Sequence, residues 1–342
     1  MENINLLGKD LKELNELCIK YDFPKFHSEQ LYKWMYQKKI LDISKMTNVP
    51  KALKDIITNK YNTNLLTTEK KLYSQNDDTI KFLFKTNDNN FIESVSMIDS
   101  NRHTVCISSQ IGCSVNCSFC ATAKMGIIRN LEIGEILQQL IMISKEREKP
   151  ITNVVFMGMG EPFLNYKNVI KSSQIMNDSK GFNLSSKKIT ISTSGILPKI
   201  KQYIKEKHKY KLAISLNASN NDDRNQLIPI NKKWNIEDIL SSLKKYSFNK
   251  YRPIMFEYVL INGVNDKKEN AIELGNLLKT INCKINIIPY NETKESFKRS
   301  QNIDNFAELL SNIKGNNYRV FIRWSKGQDI DAACGQLATK NE

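Results

Sequence analysis

The stretch Thr104-Val-Cys106-Ile-Ser-Ser-Gln-Ile-Gly-Cys113-Ser-Val-Asn-Cys117-Ser-Phe-Cys120 decides how this chain is read. It opens as a short β-rich run, Thr104–Ser108, and continues into a loop with a Cys-x3-Cys-x2-Cys pattern. Three thiolates at that spacing can converge on one metal centre, and two identities compete. A structural zinc ion wants a fourth ligand. The nearest candidate is His103, but it precedes the strand whereas the cysteines follow it, and the chain has only 3 histidines. A four-iron cluster held by three cysteines, with one iron left open, fits the pattern better.

Downstream of this loop, short β-rich runs alternate with helical patterns. The expected strands are Asn153–Met157, Lys188–Thr193, Lys211–Leu216, Met255–Leu260, Lys284–Ile288 and a final Tyr318–Trp324. The expected helices are Ile133–Ser144, Lys167–Asn177, Ile236–Tyr246, Lys268–Lys279 and Ile303–Ile313. Repeated β-α units predict an α/β fold with a parallel sheet and helices outside it, as an open or closed barrel. In such folds the site gathers at the carboxyl ends of the strands.

Upstream, the period changes twice. Between Thr68 and Met97 it is two: Ile80, Phe82 and Phe84 alternate with Lys81, Leu83 and Lys85, and Asn87–Asn90 reads as a turn before Phe91–Met97 returns. Before that the spacing is helical, in Leu11, Leu14, Leu17 and Cys18, in Leu31, Trp34 and Met35 within Ser28–Lys38, and from Ala52 through Ile56 and Ile57. The expected organisation is a helical module over residues 1–66, a β linker over 67–98 and a core over 99–337.

Lys and Arg number 51 against 36 Asp and Glu, a net charge of +15. That surplus suits a polyanionic partner, nucleic acid first. A biased base composition rich in Lys, Asn and Ile would produce it too. The basic residues are dense over Lys199–Lys211 and in Lys244, Lys245, Lys250 and Arg252. No apolar run approaches the ~20 residues that span a bilayer, and Met1–Asp10 lacks a signal-like apolar region, so the cytoplasm is expected. In that reducing compartment 7 cysteines are not a disulfide framework.

Four further motifs lie where strands end. Gly158-Met-Gly160-Glu161-Pro162 follows the second strand; its glycines allow close backbone approach and Glu161 can accept from an ammonium group. Ser192-Thr-Ser194-Gly195 ends the third strand and Ser215-Leu216-Asn217 the fourth, each offering small polar groups. Each is also ordinary turn chemistry taken alone. The fourth, Gly327-Gln-Asp-Ile-Asp-Ala-Ala-Cys334-Gly-Gln-Leu337, sets Cys334 among small residues, which suits a mobile, reactive thiol.

The cysteine motif, with Phe119 before its last cysteine, resembles the radical S-adenosylmethionine (SAM) superfamily, and all five motifs together resemble its RlmN family, dual-specificity methyltransferases of 23S rRNA and tRNA. The likeness runs from about Phe91 to Leu337 and more loosely through the N-terminal helices. Pro162 after Glu161 and Ser194 after Thr193 favour RlmN over the sibling Cfr family, which methylates adenine at C8. Asn217 stands where the family usually carries histidine, and Asn291–Ser300 lacks the expected Pro/Gly-rich stretch.

The resemblance implies a partial (β/α)6 barrel with a small N-terminal helical domain and a short β linker. It implies a [4Fe-4S] cluster on Cys113, Cys117 and Cys120, and SAM lined by Gly160, Glu161, Ser192, Ser215, Leu216, Asn217 and Asn291. It implies methylation of adenine C2 with two SAM per turnover: Cys334 takes the first methyl group, and the second SAM is cleaved to an adenosyl radical that activates that methyl. Glu93 matches the family's general base and Cys106 the thiolate that releases the product. The partners implied are 23S rRNA, tRNA and a low-potential donor such as flavodoxin or ferredoxin, with no membrane, and the chain a monomer. Cys18 and Cys283 match no functional position and read as small buried hydrophobes.

Overall fold

The computed structural model describes residues 4–244, 253–293 and 297–339. At the N-terminus, strand β1 (Ile4–Asn5) leads to α1 (Leu11–Lys20), α2 (Phe26–Tyr32) and α3 (Lys51–Lys60). Strand β2 (Tyr61–Asn62) then pairs parallel with β1 and closes the module. Asp10 starts α1 through a capping box: its carboxylate accepts from Glu13 N at 2.9 Å, and the Glu13 carboxylate accepts from Asp10 N at 2.8 Å. Leu14, Leu17 and Cys18 form the buried stripe of α1. The sequence predicts one regular helix over Ser28–Lys38. The structure instead ends α2 at Tyr32 and continues as a π-helical turn over Lys33–Gln37, whose wider winding buries three consecutive residues, Trp34, Met35 and Tyr36.

The rest of the chain builds one sheet of ten strands. Its strands begin with β3 (Leu66–Tyr73), β4 (Thr79–Thr86), β5 (Phe91–Asp99) and β6 (Arg102–Cys106). A separate hairpin, β7 (Gln110–Gly112) with β8 (Ile127–Asn130), brackets the cysteine loop. Alternation follows: α4 (Ile133–Lys145), β9 (Asn153–Phe156), α5 (Tyr166–Asn177), β10 (Ile189–Thr193), α6 (Leu197–Lys205) and β11 (Lys211–Ser215). The chain continues through α7 (Asn221–Leu227), α8 (Ile236–Lys244) and β12 (Ile254–Leu260), then α9 (Lys268–Leu278) and β13 (Cys283–Pro289). It ends with α10 (Ile303–Ser311) and β14 (Tyr318–Ile322). Strand β6 and strands β9 to β14 run parallel in chain order, and β5, β4 and β3 add antiparallel beyond β6. The predicted α/β fold with a parallel sheet is therefore the observed one.

Two differences matter for the site. Strands β3 to β5 are a hydrogen-bonded continuation of the barrel sheet, and both faces of β4 are covered: Phe82 and Phe84 are fully buried on one, and Lys81 is 8% exposed on the other. The sequence also shows no helix where α6 and α7 stand. Leu197, Ile200 and Tyr203 form the buried side of α6, and its lysines among Lys199–Lys211 take the other sides. Of the second basic group, Lys244 ends α8 and is exposed, while Lys245, Lys250 and Arg252 lie outside the described residues.

Candidate active site

The barrel strands enclose a cavity of about 440 Å³, lined from β5, β6 and β9 through β14 and closed by the C-terminal segment. The predicted site residues lie at the ends of β6, β10 and β11, in the loops after β6, β9, β11 and β13, within β5 (Glu93) and in the segment beyond β14 (Cys334).

The cysteine loop is shaped first by its hairpin. Gly112 has φ +74°, and a Cβ there would lie 1.9 Å from the Gly126 carbonyl. Cys113 N donates to that same carbonyl at 2.7 Å, and Ser118 N donates to Leu227 O at 3.0 Å. Val115 and Phe119 pack with Leu227, Ile228, Ile261 and Tyr290, and the three cysteines lie against this apolar cluster. Burial pushes the Cys113 thiol up to about 12. It also raises Cys117 and Cys120, and the neighbouring thiols raise Cys117 further.

The next loops interlock. Glu161 is 4% exposed. One carboxylate oxygen accepts from Phe163 N at 2.9 Å and the other from Ser194 N and Oγ, both at 2.7 Å. Burial raises its pKa against these bonds. Gly160, at φ +96°, leaves no room for a Cβ, which would meet the Gln110 side chain at 2.5 Å. Ser192 Oγ and Ser215 Oγ face each other at 3.4 Å. The Leu216 side chain lies in the core, so its polar offering is its main chain. Asn217, at φ +57°, accepts from Val259 N at 2.9 Å through its side-chain oxygen. Asn291 is 2% exposed and donates to Cys334 O at 3.1 Å; its Oδ1 has no hydrogen-bond partner among the described residues.

The C-terminal segment crosses the open side of the barrel. Asp329 accepts from Ser74 Oγ at 2.7 Å and Gln75 N at 2.8 Å, and Gly327 N donates to Asp77 at 2.9 Å. The chain then turns inward. Ala121 N donates to Gly335 O at 2.8 Å, Thr122 Oγ1 to Leu337 O at 2.5 Å, and Ala338 N to Glu93 Oε2 at 3.0 Å. Cys334 thereby joins Cys106 on the cavity wall beside Glu257, Asn286 and Arg323. Burial pushes the Cys106 thiol up to about 12, with nearby Cys334 adding to the rise and Arg323 opposing it. Glu93 is 5% exposed. Burial raises its pKa, while Lys81, 3.2 Å from Oε1, lowers it. The structure thus brings together the cysteine loop, Cys334, Cys106, Glu93 and Asn291.

Residues 4–61 match the family model of the ribosomal RNA large subunit methyltransferase N-terminal domain, and residues 107–275 match that of the radical SAM superfamily. A dual-specificity RNA methyltransferase RlmN of Wigglesworthia glossinidia brevipalpis is 46% identical over 351 residues, covering 98% of this chain and 90% of that protein. A probable RlmN of Clostridium novyi is 41% identical over 336 residues, covering 97% of each chain. The crystal structure of a radical SAM methyltransferase from Sphaerobacter thermophilus aligns with a TM-score of 0.93 at 38% identity, covering 98% of this chain and 100% of that one. This chain belongs to the RlmN family.

The radical SAM superfamily uses a four-iron cluster and SAM, and these are the cofactors of the chain. The residues present fit them. His103, the one side chain that the sequence offered as a fourth zinc ligand, is fully buried and has both ring nitrogens engaged, by Ser96 Oγ and Lys149 O at 2.8 Å each. Among the described residues no three His, Cys, Asp or Glu side chains converge on a point that would hold a single ion. Three thiolates that each take a different iron need no such convergence. The orphaned Asn291 Oδ1 and the carboxylate of Glu161 offer acceptors to the ammonium and hydroxyl groups of SAM.

Two residues of this RlmN-family site escape a sequence reading. Arg224 on α7 is fully buried and donates to the carbonyls of Leu216 at 3.0 Å, Ser194 at 2.5 Å and Ser215 at 3.2 Å, and to Asn231 Oδ1 at 2.8 Å. It ties the ends of β10 and β11 together, although burial lowers its pKa to about 10. Lys81 is the other. The alternating pattern of β4 marks it only as a residue on the opposite face from Phe82.

Proposed function

We propose that this chain methylates C2 of an adenine in the peptidyl-transferase region of 23S rRNA and of an adenine next to the anticodon in tRNA. The observation that carries the reading is the meeting of Cys334 and Cys106 on one cavity wall, beside the cysteine loop and within a few residues of a buried carboxylate, Glu93. In this reading Cys113, Cys117 and Cys120 hold the cluster, and Gly160, Glu161, Ser192, Ser215, Leu216, Asn217 and Asn291 surround SAM.

The target carbon is an amidine carbon, electrophilic in character, so direct transfer of an electrophilic methyl from SAM fails there. When bound, the cluster supplies the electron that cleaves SAM and so allows a hydrogen atom to be taken from a methyl group. The chain's part is to present that methyl. The Cys334 sulfur takes it from a first SAM, and its carbon is then joined to the adenine ring. Glu93 removes the ring proton, from a rigid strand position, and the odd-electron adduct also gives up one electron, which the cluster would accept when bound, leaving a closed-shell thioether. The Cys106 thiolate attacks the Cys334 sulfur, forming an S–S bond and breaking the bond from that sulfur to carbon. The carbon keeps the electron pair and takes up a proton to become the product methyl.

The helical module over residues 1–66 and the basic surface would bind RNA, with 67–98 joining them to the core. A flavodoxin or ferredoxin would supply electrons to a monomer in the cytoplasm. Nuclease digestion of treated RNA, followed by mass spectrometry against 2-methyl- and 8-methyladenosine standards, tests the reading. The 2-methyl product is expected; 8-methyladenosine would move the chain to the Cfr reaction.

A further inference from the structure

Lys81 is a buried lysine in the interior of a β-strand, a placement that requires compensation because an unpaired buried ammonium is strongly disfavoured. Among the described residues its Nζ has two contacts of hydrogen-bond length. One is Glu93 Oε1 at 3.2 Å, on the adjacent strand β5. The other is the carbonyl of Asp331 at 3.2 Å, three residues before Cys334. The second Glu93 oxygen accepts from Ala338 N, four residues after Cys334. A Lys81–Glu93 pair therefore clamps the reactive loop from both sides.

We propose that Lys81 is a positioning residue of the reaction: its ammonium holds the Glu93 carboxylate as the accepting base and ties it to the loop that carries Cys334. The inference rests on Glu93 being the base that removes the ring proton. The other groups facing Glu93 cannot take over this role. Asp331, from the C-terminal loop, is acidic and opposes ionisation of Glu93. The β6 residue on this face is Cys106, opposite Val95, and burial favours its neutral thiol. Ala338 contributes one neutral N–H. With Lys81 removed, burial and Asp331 both favour a protonated, inactive Glu93.

The test is the pH dependence of the RNA step in a single turnover of the cluster-loaded enzyme, begun from protein already S-methylated at Cys334. In Lys81→Met the acid limb should move up by about 1–3 pH units, the usual effect of one close opposite charge, with the rate recovered at alkaline pH. Lys81→Arg should hold the limb near its wild-type position. A Lys81→Met rate lowered equally at every pH, while Glu93→Gln is inactive, overturns the role of Lys81 and leaves Glu93 as the base. A Glu93→Gln enzyme with the wild-type profile overturns both. Infrared spectroscopy gives a second readout should Lys81→Met not fold. The carboxylic acid carbonyl band of Glu93, assigned at acid pH by its absence from Glu93→Gln, should be missing from the wild-type spectrum at neutral pH. Its presence there overturns the inference.

Discussion

Cys106 and Cys334 share a cavity wall yet stand in different settings, and their loss should stop the reaction at different steps. Cys106 is on a rigid strand, fully inside the barrel, and its thiol is held neutral by burial. Cys334 is on a loop between small residues and is partly exposed. In the proposed reaction, loss of Cys334 leaves no sulfur to accept the first methyl, so Cys334→Ala should never attach to RNA. By the same proposal, loss of Cys106 lets the attachment form but leaves no thiolate to resolve it. Cys106→Ala should therefore accumulate a nuclease-sensitive protein–RNA adduct on a denaturing gel. Adduct in the Cys334 variant would show the two roles to be exchanged, and adduct in neither, with both folded and iron-loaded, would remove the two-cysteine scheme.

At the scale of elements, the hairpin β7–β8 gives the cysteine loop its shape. The two strands cross so closely at Gly112 that the Gly126 carbonyl occupies the space of a Cβ, and the positive φ adds strain for any L side chain. That crossing sets the Cys113 N–H on Gly126 O and so fixes the first thiol relative to the other two. Gly112→Ala should lower iron content per chain at least severalfold and leave the far-ultraviolet circular dichroism close to wild type, because the barrel is built without this hairpin. Full iron loading in Gly112→Ala would show that the loop reaches its shape without the crossing. Arg224 plays the matching part between β10 and β11, where one buried guanidinium replaces several separate caps.

For the whole molecule the dominant quantity is the charge of +15. If the charge serves RNA binding, contact with phosphates releases counterions, and added salt weakens that binding. With about five phosphate contacts, the log–log slope of affinity against salt should be near −4, since each contact contributes roughly 0.7–0.9. Filter binding of a 23S rRNA transcript across a salt series measures it. A slope near zero would assign the lysines to base composition and not to recognition. Among the described residues no helix is long and apolar enough to cross a membrane.

The sequence by itself determined the cysteine loop, the strand-end motifs and the α/β alternation, because each is written in short spacings. A Cys-x3-Cys-x2-Cys loop needs only eight consecutive residues, Cys113 to Cys120, and a β-α period shows within one unit. Strand ends fell within two residues because the apolar runs of β9 to β13 are buried on both faces and stop where the turns begin. Only the tertiary structure decided which polar residues are enclosed. Lys81 looks like any outward lysine of an alternating strand until β14 and the chain beyond it return across the barrel, bringing Asp331 from 250 positions away. Arg224 looks like one charge of a polar helix until three carbonyls from other loops turn toward it. The physical reason is the same for both: the cost of burying a charge is set by partners that only the closed sheet assembles, and no local spacing encodes them.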